Sequence, residues 1–488
     1  MVNLVLALLS ALLLILAFPS ADLGWLAPVA LTPLLLACAR ETSWKKRFLY
    51  GWAAGFVFWA GVCYWIQFVL EVHGGLGRGL SWFSFFLFAI LKGLHLAVFA
   101  MLAGFLWNSR WAIPAIAALW TGLERTHATF GFAWLDLGNA GIRMPLPMRL
   151  APFVGVYGLS FVFAMLACAL ASVLLRRRRL ELVWLAPLVT LPLLPPLPPP
   201  ARPTETVHVV QPNIDTEAQW TAAYLNEEER HLGGLSYDPG IRLIVWPEAP
   251  APFYPSDPDF REFVASIARE SHAYLLFGGV GHTASGDPLN SAFLMTPDGV
   301  ITDQYNKIKL VPFGEFVPSP FGWVNRISKE AGDFAPGNRV VVFHTDGHRP
   351  GEGRISIGAF ICYESAFPDL VRRFVRDGAE ILVNLSNDGY FGTSAAREQH
   401  LALVRMRAAE NRRWILRATN DGITAVIDPA GRVSERLQPY RELATDMHLS
   451  RLDALTPYTR HGDWFAWGCL IAGISGAGFS AKRPARRM

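Results

Sequence analysis

The 488-residue chain has few charged residues, since Asp, Glu, Lys and Arg together make up only 17% of it. Soluble domains carry about 25% charged residues, so this deficit argues against a wholly soluble protein. Hydrophobic residues reach 52%, and the 17 Trp and 32 Phe fit a membrane protein, whose aromatic side chains collect at bilayer interfaces. The basic residues form short clusters and the net charge is only +4, so no nucleic-acid partner is expected.

Cysteine is also scarce, and its pattern argues against two kinds of site. The 5 cysteines include no CxxC pair and no cluster with histidine, so neither a structural zinc site nor a disulfide framework is expected. Cys362 lies in a polar segment, whereas the other four lie in apolar runs, where a thiol usually acts as a small hydrophobe: Cys38, Cys63, Cys168 and Cys469. No metal is predicted.

Long apolar runs fill the first 194 residues and return near the end of the chain. A membrane-spanning helix needs about 20 apolar residues, and eight segments come near this requirement: 4–18, 24–39, 48–70, 80–107, 111–123, 152–175, 180–194 and 464–481. If the N-terminus is cytoplasmic, eight spans place every basic cluster on the cytoplasmic side, as the positive-inside rule requires. The segment 201–460 is then predicted to lie outside the cytoplasm.

The region between the last two spans has a different character. A proline-rich linker at 195–205 favours extended polyproline conformation, and beyond it predicted strands alternate with predicted helices. The strands are predicted at 207–210, 243–246, 274–278, 292–295, 355–362, 381–385, 415–418 and 424–428, and the helices at 258–271, 367–377 and 395–412. This alternation, with extra hairpins, predicts an α/β sandwich.

The chain is therefore predicted to contain five parts. They are a membrane bundle of seven spans at 1–194, the linker at 195–205, an α/β domain at 206–455, an eighth transmembrane helix at 464–481 and a basic cytoplasmic tail at 482–488. The fold class is a polytopic α-helical membrane bundle of about eight spans combined with an α/β domain.

Three polar side chains of the α/β domain lie close to predicted strands. Cys362 ends the run 355–361, Glu248 follows the run 241–245, and Lys307 lies in an aromatic, proline-bounded loop. A thiol nucleophile needs a base, a carboxylate can act as that base, and a buried lysine can stabilise developing negative charge. Each residue alone also fits a plainer interpretation: a buried strand cysteine, a loop glutamate and a solvated basic loop.

The order Glu, Lys, Cys resembles the carbon–nitrogen hydrolase (nitrilase) superfamily, whose Glu-Lys-Cys triad lies on an αββα sandwich. The resemblance covers residues 207–449. It implies that Glu248 is the general base, that Lys307 is the cation that stabilises the oxyanion and that Cys362 is the nucleophile.

A finer resemblance is to the apolipoprotein N-acyltransferases. It rests on the segments VQPNI (210–214), KIKLVPFGEFV (307–317), ICYE (361–364), NDGYFG (387–392), QH (399–400) and RATN (417–420). Members of this family have eight spans, with the catalytic domain between the last two. The resemblance implies a monomeric enzyme of the bacterial inner membrane, with a periplasmic catalytic domain and no cofactor.

The reaction implied by this resemblance is a ping-pong acyl transfer. A fatty acyl chain passes from a glycerophospholipid to Cys362 as a thioester, and then to the α-amino group of the diacylglyceryl-cysteine of an apolipoprotein. The resemblance also implies that Glu315 and Glu364 are carboxylates close to the triad, that Tyr363 lies beside the nucleophile and that Trp220 lies near the substrate entrance. The chain departs from the family at Tyr390, where tryptophan is usual.

Two other functions are compatible with these residues. The first is a membrane-anchored carbon–nitrogen hydrolase, an amidase that uses the same triad with water as the acceptor. About eight spans argue against it, because an enzyme with a soluble substrate needs one anchor at most. The second is a membrane scaffold with an inactive domain, against which the intact motifs argue.

Two further features have open roles. Lys92 and His95 share one face of the fourth predicted span, where ionisable residues are either functional or a packed or water-facing pair. The segment 309–322 contains three prolines and is a candidate mobile loop beside the site.

Overall fold

The computed structural model describes residues 1–129, 132–249, 251–317, 334–347 and 353–482. The chain forms two compact units: a helical unit of residues 1–68, 77–197 and 461–488, and an α/β unit of residues 69–76 and 198–460. Residues 483–488 of the predicted basic tail and 318–322 of the predicted mobile loop lie outside the described residues.

The helical unit is built mainly from α-helices, with several 3₁₀ segments between them. Its helices are α1 (Val2–Ala17), α2 (Ala27–Ala30), α3 (Thr32–Arg40), α4 (Trp44–Val62), α5 (Trp65–Phe68), α6 (Arg78–Leu106), α7 (Ala112–Arg125), α8 (Ala151–Val154), α9 (Val156–Leu174) and, after the α/β unit, α15 (Trp464–Ala481). A 3₁₀ helix covers Arg179–Leu193.

Three helices, α6, α9 and α15, are long and apolar enough to cross a membrane. A fourth span results if α4 is counted together with the helical segment Trp65–His73, to which it is joined at a bend of 59°. Two further apolar helical segments, Val2–Ala17 and Gly24–Arg40, are shorter. Each of the eight predicted spans overlaps a helical segment, but the count of eight is not confirmed. The predicted span 180–194 is a 3₁₀ helix and not an α-helix; Pro187 and Pro192, which lack the N–H that an α-helix uses, lie inside it.

The Lys92 and His95 pair is packed inside the helical unit. The Lys92 ammonium donates to the Phe132 carbonyl at 2.9 Å and lies 4.6 Å from the ring centroid of Trp59. The His95 ring contacts the His127 ring, with 4.4 Å between centroids. These contacts give the buried ammonium partners inside the protein, as the packed-pair interpretation expects.

The α/β unit contains two six-stranded sheets, with the strand orders β12-β1-β2-β3-β4-β5 and β11-β10-β9-β8-β7-β6. The strands are β1 (Glu205–Gln211), β2 (Leu243–Val245), β3 (Tyr274–His282), β4 (Pro288–Met295), β5 (Ile301–Asn306), β6 (Val342–Thr345), β7 (Ile355–Ile361), β8 (Ile381–Ser386), β9 (Ile415–Thr419), β10 (Ala425–Ile427), β11 (Val433–Arg436) and β12 (Leu443–Leu449). In each sheet three parallel strands are flanked by antiparallel ones.

The helices of the α/β unit connect its parallel strands. They are α10 (Ala222–Ser236), α11 (Pro258–Ser271), α12 (Pro368–Arg376) and α13 (Ala396–Asn411), followed by the short α14 (Pro457–His461). Asp257 caps helix α11, since its carboxylate accepts from the Asp259 N–H, and the helix begins with Pro258 at a position where no N–H is needed.

This topology places several polar residues at strand ends. Glu248, Cys362 and Asn387 follow the carboxyl ends of the parallel strands β2, β7 and β8, and Lys307 directly follows β5. Loops at the carboxyl ends of parallel strands commonly form binding sites. The turn that carries Glu248 lies so close to β3 that a Cβ on Gly278 would lie 2.5 Å from the Ala249 nitrogen, so glycine is needed there.

Candidate active site

Lys307 forms the centre of a buried charge cluster. Its ammonium lies 3.1 Å from Glu248 Oε1 and 2.8 Å from Glu315 Oε1, and its side chain is only 1% exposed. Burial alone lowers the pKa of Lys307, but the charges of Glu248, Glu315 and Cys362 outweigh burial and hold that pKa well above its ordinary value. The lysine therefore remains a cation at neutral pH.

The two carboxylates of this cluster are held by further donors. The Asn290 side-chain amide donates to Glu248 Oε1 at 2.8 Å and to Glu315 Oε1 at 2.7 Å. The Asn387 backbone N–H donates to Glu248 Oε2 at 2.9 Å, and the Val311 N–H donates to Glu315 Oε2 at 2.7 Å. Three donors thus fix the orientation of Glu248.

Cys362 lies at a sharp turn after β7. Its φ of 48° is left-handed, a conformation that costs free energy in a residue other than glycine, and the 3₁₀ turn Cys362–Ala366 begins there. Burial raises the pKa of the Cys362 thiol, the Glu248 carboxylate raises it further, and Lys307 only partly opposes them. The resting thiol is consequently protonated at neutral pH and needs a base before it can act as a nucleophile.

Glu364 connects the lysine segment to the cysteine turn. Its Oε1 accepts from the Tyr305 hydroxyl (2.7 Å), the Ile308 N–H (2.7 Å) and the Lys309 N–H (3.1 Å), and its Oε2 accepts from the Ile361 N–H (2.8 Å). Both segments therefore bond to one carboxylate that is fully buried. Glu364 can position Lys307 against Cys362 without contacting a substrate.

Tyr305→Phe is expected to destabilise this connection. The hydroxyl is buried and donates to a carboxylate, so its loss should cost about 1.5–3 kcal/mol of folding free energy. The measurement is the melting temperature of the detergent-solubilised full chain. In the control Tyr440→Phe, the same atom is removed from a 45% exposed side chain, and a change below about 0.5 kcal/mol is expected. Equal shifts in the two variants would contradict the role of the Tyr305 bond.

The remaining predicted residues lie at different distances from this cluster. Tyr363 is buried beside Cys362, and its ring packs edge-on against Phe367 with 5.1 Å between centroids. Trp220 lies in the segment before α10 and packs against the core of the first sheet, and its ring is tilted by 42° against the Tyr224 ring with 5.2 Å between centroids. Among the described residues, the hydrogen bonds and ring contacts of Trp220 include no residue of the charge cluster.

Two residues with close contacts in the site were not predicted. Asn290 bridges Glu248 and Glu315, and the sequence signal for it is a lone amide, next to Ser291, in a mostly apolar strand. His400, part of the QH segment at 399–400, donates to the Cys362 carbonyl from Nε2 at 3.0 Å. Asn387, the first residue of the NDGYFG segment at 387–392, contacts Glu248 through its backbone N–H.

One group elsewhere in the described part of the α/β unit has the geometry of a cation site. His208 Nδ1 lies 2.9 Å from Asp446 Oδ1 and 3.3 Å from Asp238 Oδ2, and Nε2 lies 2.9 Å from the Leu235 carbonyl. Both imidazole nitrogens thus already have hydrogen-bond partners within the protein. The two carboxylates are 44% and 31% exposed, as surface acidic groups commonly are.

Two family models match the chain. Residues 10–169 match the N-terminal domain of apolipoprotein N-acyltransferase, and residues 206–455 match carbon-nitrogen hydrolase. Among solved structures, an amidase from Nesterenkonia sp. is 17% identical and has a TM-score of 0.36, with 54% of this chain and 94% of that chain covered.

Relatives named apolipoprotein N-acyltransferase match over almost the full length. The protein from Geobacter metallireducens is 33% identical, covering 99% of this chain and 95% of the relative. Those from Chlorobaculum tepidum and Azotobacter vinelandii are 30% and 33% identical, and each alignment covers 96% of this chain and 95% or 92% of the relative. The chain belongs to the apolipoprotein N-acyltransferase family, and its α/β unit is of the carbon–nitrogen hydrolase type.

Proposed function

We propose that the protein transfers a fatty acyl chain from a glycerophospholipid, through a thioester on Cys362, to the α-amino group of the diacylglyceryl-cysteine of bacterial apolipoproteins. Membership of the family supports lipoprotein N-acylation in general. The observation that carries the finer proposal is the buried Lys307 cation between Glu248 and Glu315, within electrostatic reach of the Cys362 thiol.

In the first half-reaction, Glu248 takes the thiol proton while Cys362 Sγ attacks the acyl ester carbonyl. The negative charge on the carbonyl oxygen develops near Lys307, which stabilises it. The tetrahedral intermediate then expels the glycerol oxygen, which receives the proton from Glu248 and leaves as a lysophospholipid. The raised pKa of the thiol supports this order, because a protonated nucleophile must lose its proton as it attacks.

The second half-reaction uses the same groups in the opposite direction. The α-amino group attacks the thioester carbonyl and gives up a proton to Glu248, and Lys307 again faces the oxyanion. The thiolate leaves and regains its proton from Glu248. In this proposal Glu315 and Glu364 position the triad, Tyr363 lies beside the nucleophile and Trp220 lies near the substrate entrance.

Both substrates are lipids, so the proposal includes a membrane location. In this proposal the helical unit spans the inner membrane eight times, and the catalytic domain lies on the periplasmic side. The proposal also includes the linker 195–205 and a monomeric chain. Helices α6, α9 and α15 support the membrane assignment. The 15-residue 3₁₀ helix Arg179–Leu193 would measure about 30 Å at the rise of that helix type, which matches the hydrocarbon core of a bilayer.

Mass spectrometry tests the thioester step directly. After incubation of the full chain with phosphatidylethanolamine, we expect a hydroxylamine-labile fatty acyl mass on the peptide that contains Cys362. Cys362→Ser and Glu248→Gln should lack it, because one has no thiol and the other no base. Addition of a diacylated lipopeptide should then move the acyl mass to the peptide amine.

The same experiment separates acyl transfer from the amidase alternative. An amidase would give no acyl adduct from accessible phospholipid and would release ammonia from small amides. That pair of results would overturn the proposal in favour of the hydrolase. The proposal would also be contradicted if the acyl adduct were lost to water as fast as it is lost to the lipopeptide amine.

A further inference from the structure

The strained backbone of Cys362 needs an external support. A left-handed residue other than glycine persists only where its surroundings hold it, and Cys362 has a φ of 48°. Part of that support comes from α13, where His400 Nε2 lies 3.0 Å from the Cys362 carbonyl oxygen. Because a carbonyl can only accept, Nε2 carries the hydrogen and donates it.

A buried ionic network holds the other side of the His400 ring. Its Nδ1 lies 3.1 Å from Asp388 Oδ1 and 3.2 Å from Arg417 Nη2, and Arg417 Nη2 donates to Asp388 Oδ2 at 2.5 Å. All three side chains are 0% exposed. Water cannot replace any of these contacts, so the imidazole orientation is set by the protein alone.

The same network contacts the nucleophile strand at two further points. The Ser386 hydroxyl donates to Asp388 Oδ1 at 3.0 Å and lies within hydrogen-bond range of the Cys362 thiol. Arg417 Nη1 donates to Asn384 Oδ1 at 2.9 Å, and Asn384 donates to the Phe360 carbonyl at 3.3 Å. The backbone and the thiol of the nucleophile are thus both connected to one cluster.

The network has little freedom to move, and it adds little net charge. A Cβ on Gly422 would lie 2.3 Å from Asp388 Oδ2, so this carboxylate is closely enclosed. Burial raises the pKa of Asp388, but the charge of Arg417 is the largest opposing cause, and this pKa lies far below its usual range. Burial and Arg417 lower the pKa of His400. The imidazole is therefore neutral at neutral pH, with its hydrogen on Nε2, and its Nδ1 accepts from the Arg417 guanidinium, which is itself paired with Asp388.

We propose that His400, oriented by Asp388 and Arg417, is a positioning residue that holds Cys362 in its left-handed conformation through both half-reactions. It would present Sγ to Glu248 and Lys307 without exchanging a proton with the substrate. The inference rests on the proposed function only in taking Cys362 as the nucleophile.

The test compares His400→Ala and His400→Gln with a matched control, His208→Gln. His208 is also a buried histidine of the α/β unit, with one ring nitrogen on a carboxylate and the other on a backbone carbonyl. Two quantities are measured on the full chain in detergent. One is kcat and KM for transfer from phosphatidylethanolamine to a diacylated lipopeptide, and the other is the rate of Cys362 alkylation by iodoacetamide from pH 6 to 10.

We expect His400→Ala to lower kcat about 100-fold with little change in KM, because a displacement of about 1 Å in a reacting group has an effect of that size. Alkylation should slow in parallel, and the shape of the pH–rate profile should stay that of the wild type. The kcat of His400→Gln should be at least about tenfold higher than that of His400→Ala, since the glutamine amide N–H can replace the imidazole Nε2–H as the donor. His208→Gln should keep the wild-type kcat.

Three results would overturn the inference. The first is a wild-type kcat and alkylation rate in His400→Ala. The second is an equal loss in His208→Gln at an equal fall in melting temperature, which would make the role merely structural. The third is loss of one limb of the pH–rate profile, which would make His400 a proton carrier. If the wild type transfers no acyl group yet the alkylation differences appear, the proposed function fails while the positioning role is supported.

Discussion

Replacing Lys307 by Met is expected to lower acyl transfer by at least about 10³-fold. Loss of one oxyanion donor alone costs about 10²- to 10³-fold, and Lys307 also pairs with the proposed base, Glu248, at 3.1 Å. Methionine keeps most of the side-chain length but removes the charge. Since the lysine is only 1% exposed, water cannot replace the missing cation.

The same substitution should destabilise the fold. It leaves the buried carboxylates of Glu248 and Glu315 without their shared cation, and breaking a buried ion pair in this way costs about 3–5 kcal/mol.

The raised pKa of Lys307 gives the sign of the pH dependence of stability. The stability it contributes is fully present below the ordinary lysine pKa of about 10.4 and is lost only as pH rises through the higher folded-state value.

Lys309→Met is the matched control. Lys309 lies two residues further along the same loop, its side chain is exposed, and its ammonium lies 5.3 Å from the Phe367 ring centroid. We expect the control to change activity less than about threefold and stability by less than about 1 kcal/mol, since exposed charges contribute little. Equal losses at Lys307 and Lys309 would show that overall loop charge matters and that the buried cation does not.

The central strands of the α/β unit could be predicted from sequence because they are continuous apolar runs. All eight predicted strands overlap observed ones, and the predicted helix 258–271 matches α11. Four strands were missed, namely β5, β6, β11 and β12, in which exposed or half-buried residues interrupt the apolar pattern. Helix α10 was missed as well, because its acidic middle, Glu227 to Glu229, hides the apolar face.

The charge cluster could be predicted only as separate residues. Motifs indicated Glu248, Lys307, Glu315 and Glu364, but no sequence spacing shows that Lys307 contacts both Glu248 and Glu315. Asn290 was missed because β4 begins at Pro288, four residues before the predicted strand. Such contacts depend on the pairing of distant strands, which a single sequence does not specify.

Glu248→Gln is expected to change two reactions of Cys362 in opposite directions. Acyl transfer should fall by at least about 10³-fold, because no base would remain to take the thiol proton or return it to the leaving oxygen. Alkylation by iodoacetamide should instead become faster at a given pH. Iodide leaves without needing a proton, so that reaction depends mainly on the amount of thiolate.

The physical reason is the effect of Glu248 on the thiol. After burial, the Glu248 carboxylate is the largest contribution that raises the pKa of Cys362, and Lys307 opposes it. Removing the carboxylate leaves the lysine charge less compensated, so the thiol pKa falls. Half-maximal alkylation of the Cys362 peptide should therefore occur at a lower pH in Glu248→Gln than in the wild type, as followed by mass spectrometry.

Cys362→Ser identifies the signal, since its peptide cannot be alkylated at this position. A parallel fall of both reactions in Glu248→Gln would contradict the expectation, because the carboxylate would then be needed to present the thiol to any electrophile. Opposite changes would separate the two effects of one side chain. Glu248 would keep the resting thiol protonated, and it would remove that proton only when an acyl ester is in place.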